Sequence, residues 1–462
     1  MQSVSRILNP GVRACEMWAW AMLDFANSGY TTVVLTAVFS AYFVGVVAGN
    51  ASWATLAWTA TLCISYLFVI VSLPVLAAIA DARMLRRRML MSSIAGCVVC
   101  TALLAAAGPG DVWIAVLAII CSNYCFSLSE SAIASFLPTL ARQESLGRVS
   151  GIGWGVGYIG GLFALGVALG LVTYGQSQGL VAQVTVPWVM LSTAILFTLA
   201  AMPAWFLLKE PVVKHAEVLV TAADNNDFNL IAAVYRSTWL SLSRAFSELG
   251  RDFSEFRRLL LCIVSYQAGI SVVITLAAVY AEHVMGFSMT ETIMLIVAVN
   301  ITAAVGALSF GYVQDRLGHR YALAIALTGW LITSVTAYAA VDVVVFWFVA
   351  CLAGLFMGVT QSAGRAMVGS FAPADRLSRF FGMWSVATQL AAAIGPLTYG
   401  VVTWATGGDQ RLAMLSTSVF FVLALLILKN ISWTHGQSQR DASLARSRCT
   451  HPLNTHPLNS VS

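Results

Sequence analysis

Twelve apolar runs of roughly 20 residues or more restrict this chain to very few folds, since backbone amides in a hydrocarbon layer must bond within a helix or a closed barrel. They lie at 18–47, 53–80, 89–108, 112–135, 149–173 and 186–208, then at 259–281, 291–313, 321–341, 343–369, 380–404 and 412–431. Such lengths suit helices. The expected fold class is an all-α membrane protein with twelve transmembrane helices. Hydrophobic residues make up 59% of the chain and charged ones 10%, more apolar than a water-soluble core of this size requires.

The runs fall into two sets of six, because the sequence repeats itself. Gly311 to Arg320, GYVQDRLGHR, has a blurred copy roughly 235 positions earlier in AAIADARMLRRR, Ala77 to Arg88. A second pair repeats at nearly the same offset, Ser135-Phe136-Leu137-Pro138 against Ser370-Phe371-Ala372-Pro373. The expected organisation is a six-helix bundle over 1–208, a linker over 209–258, a second bundle over 259–432 and a disordered tail over 433–462. Within the linker Phe228, Ile231, Tyr235, Trp239, Leu242, Phe246, Leu249 and Phe253 recur at spacings of three and four, one apolar face of an amphipathic helix. Lying on the membrane surface is its natural place, and binding a partner is the alternative.

Charge sets the orientation. Of the 25 Lys and Arg only Arg411 falls on the opposite side of the spans, which puts both termini in the cytoplasm. The first run is too long for a cleaved signal and carries Asp24, so it reads as span 1. The nine Cys lie mostly inside apolar runs and read as small helix residues. Cys97 and Cys100 form a CxxC without a second pair or a nearby His to suggest a metal, and no cofactor is expected.

The spacing G-x-x-x-D-R-x-G-H-R at Gly311, Asp315, Arg316 and Arg320 resembles the signature loop of the major facilitator superfamily, repeated after spans 2 and 8. In the first copy Ala77, Ala82 and Met84 replace the Gly, Arg and second Gly, while Asp81 and Arg86 to Arg88 remain. The resemblance implies two pseudo-symmetric bundles and a conformational latch. Trp20 to Phe43 is similar to the opening helix of the vacuolar amino-acid effluxer family of autophagy and its bacterial relatives. Gly147-Arg148-Val149-Ser150-Gly151, Gln361-Ser362-Ala363-Gly364-Arg365 and Phe380-Phe381-Gly382 through Gly395-Pro396 add to it. It implies an exporter of small solutes such as amino acids, in a bacterial plasma membrane or, for a eukaryote, a vacuolar one. Two departures stand out: Tyr266-Gln267-Ala268-Gly269 lacks the acidic residue frequent in relatives, and Tyr158 stands where an antiporter motif has Pro.

Polar residues inside spans are the functional candidates, since each is costly in hydrocarbon unless it meets a cavity or a partner. Asp24, Asn27, Ser28 and Thr31 form one stripe of span 1, and Asn123, Ser127 and Glu130 one of span 4. Gln267 and Ser271 lie in span 7, and Gln361, Ser362 and Arg365 in span 10. In the superfamily these four spans line the central cavity. Asp24 is the proton-coupling candidate. Glu130 and Arg365 stand eight residues before the repeated Pro138 and Pro373, and the expectation is that they pair across the twofold axis when the inner gate closes. A carboxylate-binding role for Arg365 competes with that, and a purely structural role for both is the third reading. Asp81, Arg86, Gly311, Asp315, Arg316 and Arg320 complete the expected gate.

The partners implied are the lipid bilayer and a small solute, with coupled protons as a further expectation and no nucleic acid. A drug or sugar exporter, or a membrane sensor on a carrier fold, remains the alternative. An enzyme is the least expected, because the spans hold no Ser-His, His-Asp or metal-ligand cluster.

Overall fold

The computed structural model describes residues 6–49, 51, 53–210, 253–287 and 289–449. Twelve helices in it are long and apolar enough to cross a membrane. Span 1 begins as Ala14–Tyr30 and continues to Val47 through wider π-turns at Thr31–Ala37 and Phe43–Val47. Spans 2 to 6 are Ala54–Ala82, Arg86–Leu103, Val112–Leu140, Leu146–Ser177 and Ala182–Leu207. Spans 7 to 12 are Ser254–Met285, Met289–Leu317, His319–Ala339, Val343–Phe371, Leu377–Ala405 and Gln410–Lys429. An even number of spans leaves the two chain ends on one side, called here the terminal face.

The short turns between spans carry their own chemistry. Between spans 3 and 4 Gly110 takes φ 87°, and the Asp111 carboxylate accepts from the Gly108 amide at 3.0 Å. Asp342 caps span 10 by accepting from Val344 N, and Asp409 caps span 12 by accepting from Leu412 N at 3.0 Å. Arg411, the basic residue on the far side, donates to the carbonyls of Tyr338 and Ala340.

Two buried apolar cores separate the halves. One is built from residues between Ile7 and Leu208 with a single intruder, Ala366; another is built from residues between Phe253 and Ile431 with only Ala134 from the first half. Large apolar side chains such as Trp113, Phe206, Phe348 and Trp404 point outward, as hydrocarbon permits and water does not.

Glycines on span 5 set how closely the neighbours approach. A Cβ on Gly160 would overlap the backbone of Phe25 in span 1, and one on Gly151 would overlap the Ala307 carbonyl in span 8. The twofold repeat returns the first contact, with Gly395 of span 11 against the Ala268 carbonyl of span 7.

The tail departs from the disorder expected of 433–462, because Trp433–Cys449 is a helix. Its polarity misled: one face is anchored. Trp433 packs on Phe371 and His319, Gly436 sits against Phe371, and Arg440 Nη1 donates to the Ser370 carbonyl at 2.9 Å. Gln439 donates to Ser254 Oγ and accepts from the Glu255 amide. Residues 450–462 and most of the expected linker helix, 211–252, lie outside the described residues. Replacing Trp433 with Ala removes the ring contacts that hold this helix to span 10, at a cost of about 2 kcal/mol. A thermal melt of the purified protein should fall by a few degrees, and an unchanged melt would show that the helix does not brace the bundle.

Candidate functional site

Arg365 projects from span 10 into the seam between the halves, and its side chain is 1% exposed. Its Nη1 donates to Asp24 Oδ2 at 2.6 Å and its Nη2 to Asp24 Oδ1 at 2.9 Å, so one fork grips the other. The guanidinium carbon lies 5.4 Å from the ring centre of Trp20 and 4.9 Å from that of Trp154. The aromatic faces stabilise the cation where water is scarce. Trp20 is fixed in turn by its indole N–H, which donates to the Ile133 carbonyl at 2.8 Å.

Gly153 makes this grip possible. It stands on span 5 where a Cβ would overlap Asp24 Oδ2 and the Trp20 ring. With hydrogen there, Asp24 reaches past span 5 to span 10.

The expected partner of Arg365 is thereby corrected. In this state the guanidinium is bonded to Asp24 and makes no hydrogen bond with Glu130. Both oxygens of Asp24 are matched to both terminal nitrogens, and the buried Nε of Arg365 makes no hydrogen bond among the described residues. The Glu130 side chain is half-buried and forms no hydrogen bond or salt bridge among the described residues.

Other candidates divide between those that join the halves and those that do not. Gln267 Nε2 donates to Gln361 Oε1 at 2.9 Å, linking spans 7 and 10 inside the second half. Ser150 Oγ donates to the Ser362 carbonyl at 2.9 Å, and Ser362 Oγ reaches the Gly147 carbonyl at 3.5 Å. Gln389 of span 11 donates to Ser127 Oγ at 3.0 Å. Asn27 accepts from Ser129 at 3.2 Å, and Asn123 donates to Ser65 of span 2, so both stay within the first half. Ser271 donates to the carbonyls of Ala268 and Ala391, and Thr31 Oγ1 donates to the Ser28 carbonyl. Ser28 itself lies against Gly157 of span 5.

At the terminal face two carboxylates close the seam in the same way. Asp315 accepts from the amides of Gly147 at 3.0 Å and Arg148 at 3.2 Å, the second and third residues of span 5. Asp81 accepts from the amides of Ser378 at 3.1 Å and Arg379 at 2.8 Å, the second and third residues of span 11. Each carboxylate from one half therefore caps a helix start of the other, where free amides and the helix dipole favour negative charge. Arginines steady both: Arg148 Nε donates to Asp315 at 2.8 Å, and Arg86 Nε to Asp81 at 2.7 Å. Gly311 lies against the Gly147 carbonyl, where a Cβ would come within 2.8 Å.

The blurred copy of the loop thus makes the same cross-half capping bonds as the second. Met84 adopts φ 51° at the position equivalent to Gly318, a positive φ that costs a side chain about 1–2 kcal/mol. Arg320 does not join the latch; it donates to the Lys429 carbonyl at 2.8 Å and ties span 9 to span 12. Arg316 is exposed at the end of span 8. A third carboxylate, Glu210, caps span 3 by accepting from Arg86 N at 2.9 Å and Arg87 N at 2.8 Å. Burial raises its pKa, and those amide bonds lower it in part.

Trp20, Trp154 and Gln389 were not among the residues singled out from sequence. A mid-span Trp reads as lipid-facing bulk until the partner span is known. The signal that could have found Trp154 is its place in the glycine-rich span 5, where it stands between Gly153 and Gly155.

The family model described as "Vacuole effluxer Atg22 like" matches residues 42–441. The uncharacterised MFS-type transporter YxiO of Bacillus subtilis is 24% identical over 435 residues, covering 92% of this chain and 98% of YxiO. The proton-coupled antiporter flippase LtaA of Staphylococcus aureus is 24% identical over 161 residues, 34% of this chain and 41% of LtaA. Among solved structures, the proton:xylose symporter XylE superposes with a TM-score of 0.72 at 16% identity, covering 93% of this chain and 98% of XylE. Twelve spans in two bundles, a duplicated latch and a match over most of the chain place this protein in the Atg22-like vacuole effluxer family, with the major facilitator fold.

Proposed function

We propose that this protein is an alternating-access carrier that exports small solutes, amino acids foremost, in exchange for protons. The observation that carries the reading is the Asp24–Arg365 pair, a salt bridge buried where the two bundles meet. Such a pair is strong only while the seam is dry. Losing one partner in a dry seam costs about 3–5 kcal/mol, whereas water can take over both partners when the seam opens. With Asp81, Asp315, Ser150 and Gln389 it joins the halves from mid-span down to the terminal face.

The positive-inside distribution makes the terminal face cytoplasmic, so the state described is closed to the cytoplasm. A bacterial plasma membrane is the compartment that YxiO and LtaA favour, since both are bacterial proteins. Proton exchange is supported by the similarity to LtaA, a proton-coupled antiporter.

Amino acids suit the cluster chemically. A zwitterion offers Arg365 a carboxylate with the bite of Asp24, and offers the freed carboxylates an ammonium group. Substrate binding from the cytoplasm and release of the lock then become one event.

Two experiments test this. In inside-out proteoliposomes under an inward-acid gradient, a mixture of radiolabelled amino acids should accumulate saturably. Arg365→Lys should lower that uptake at least about tenfold, because an ammonium cannot form two parallel bonds. Saturable uptake of a sugar or a drug with no amino-acid flux would reject the substrate class. The pairing itself is tested by the swap Asp24→Arg with Arg365→Asp, which should recover part of the folding yield that either single variant loses. A swap no better than the singles would show that the two charges do not depend on each other.

A further inference from the structure

Two indoles flank Arg365, and they are held differently. Trp20 is fully buried, and its N–H is committed to the Ile133 carbonyl at 2.8 Å. Trp154 is only half-buried, and its ring centre lies closer to the guanidinium carbon, at 4.9 Å against 5.4 Å for Trp20. Its indole nitrogen is covered, yet it makes no hydrogen bond among the described residues. The Nε of Arg365 is in the same condition. A buried donor left without an acceptor is costly, and native structures keep few of them.

Packing alone does not call for an indole at this position. Trp154 stands between Gly153 and Gly155 on span 5, meets the Tyr158 ring at 5.9 Å and packs with Ala303, Ala304 and Ala307 of span 8. Phe would supply an aromatic face for the cation as well. What Trp adds is the N–H. Around Arg365 the unpaired groups are donors, while both oxygens of Asp24 are already gripped by the guanidinium. The group that suits such a place accepts at several points and brings no donor of its own, which describes an ionised carboxylate.

We infer that Trp154 is a specificity-determining residue of the carrier, its indole N–H donating to the carboxylate of the solute that takes Arg365 over from Asp24. Trp154 has this role only if the protein carries amino acids as proposed above. A carboxylate has about four lone-pair sites, so it can hold the arginine fork and still accept from an indole. The N–H is idle while Asp24 holds the arginine and paired once the solute does. It therefore favours the solute in the exchange of one carboxylate for another. Gly153 and Trp154 then divide the work between neighbouring positions: the first gives Asp24 its passage, and the second rewards its replacement.

The test is concentration-dependent uptake of radiolabelled amino acids in inside-out proteoliposomes, with the matching decarboxylated amines as competitors. Trp154→Phe keeps an aromatic face and loses the N–H. It should raise the half-saturating amino-acid concentration by about tenfold, change the maximal rate less, and narrow the preference for acid over amine by a similar factor. Its melting temperature should be no lower than that of the wild type, because the missing N–H had no partner in the closed state. Trp154→His, which restores a ring N–H, should recover part of the preference. A Trp154→Phe protein that melts lower and keeps the wild-type preference would show that the indole only packs, and would overturn the inference while leaving the exporter in place. Absence of amino-acid uptake by the wild type would remove the exporter reading and this role with it.

Discussion

Everything at the seam depends on one buried ion pair, Arg365 with Asp24. An ion pair is an odd choice for holding two bundles together, because an apolar contact of equal size would hold them at no cost in desolvation. Its advantage is conditional strength. In a dry seam the bidentate pair is hard to break, and in a wet one each ion is satisfied by water. A seam that must open and close gains from that contrast. Trp20 and Trp154 extend it by keeping the guanidinium between two aromatic faces while the seam is shut.

The latches at the terminal face follow the same logic with different partners. Asp81 and Asp315 bond to backbone amides at helix starts, so no complementary side chain need be kept at the receiving position. This explains how the first copy of the loop can lose its glycines and its first arginine and still close. The capping bonds require only a carboxylate at the right place and a helix that begins opposite it. Arg86 supplies the cation at Asp81 from five residues along, and Met84 accepts a positive φ at the turn.

Much of this was legible in the sequence. The twelve runs, the duplication and the latch carboxylates all lie in local patterns, and local patterns survive translation into helices. The partner of Arg365 was not legible. The repeat sets Glu130 opposite Arg365, yet pseudo-symmetry relates positions in two bundles without saying which side chains meet at their seam. That was decided by Gly153, whose missing side chain lets Asp24 through from span 1. The tail shows the converse limit. Its polar composition suggests disorder, but three anchors, Trp433, Gln439 and Arg440, suffice to hold one face of a helix.

The glycine columns on span 5 explain why the charges can be so few. Gly153, Gly157 and Gly160 bring span 1 against one side of span 5, while Gly147 and Gly151 bring span 8 against the other. Span 1 belongs to the first half and span 8 to the second. Span 5 is therefore packed backbone to backbone with its own bundle and with its opposite number at once. Contacts of this kind hold the helices by close van der Waals packing and fix their register, whatever the charge state of the seam. The glycines fix where the halves meet, and Asp24, Arg365 and the two capping aspartates decide when.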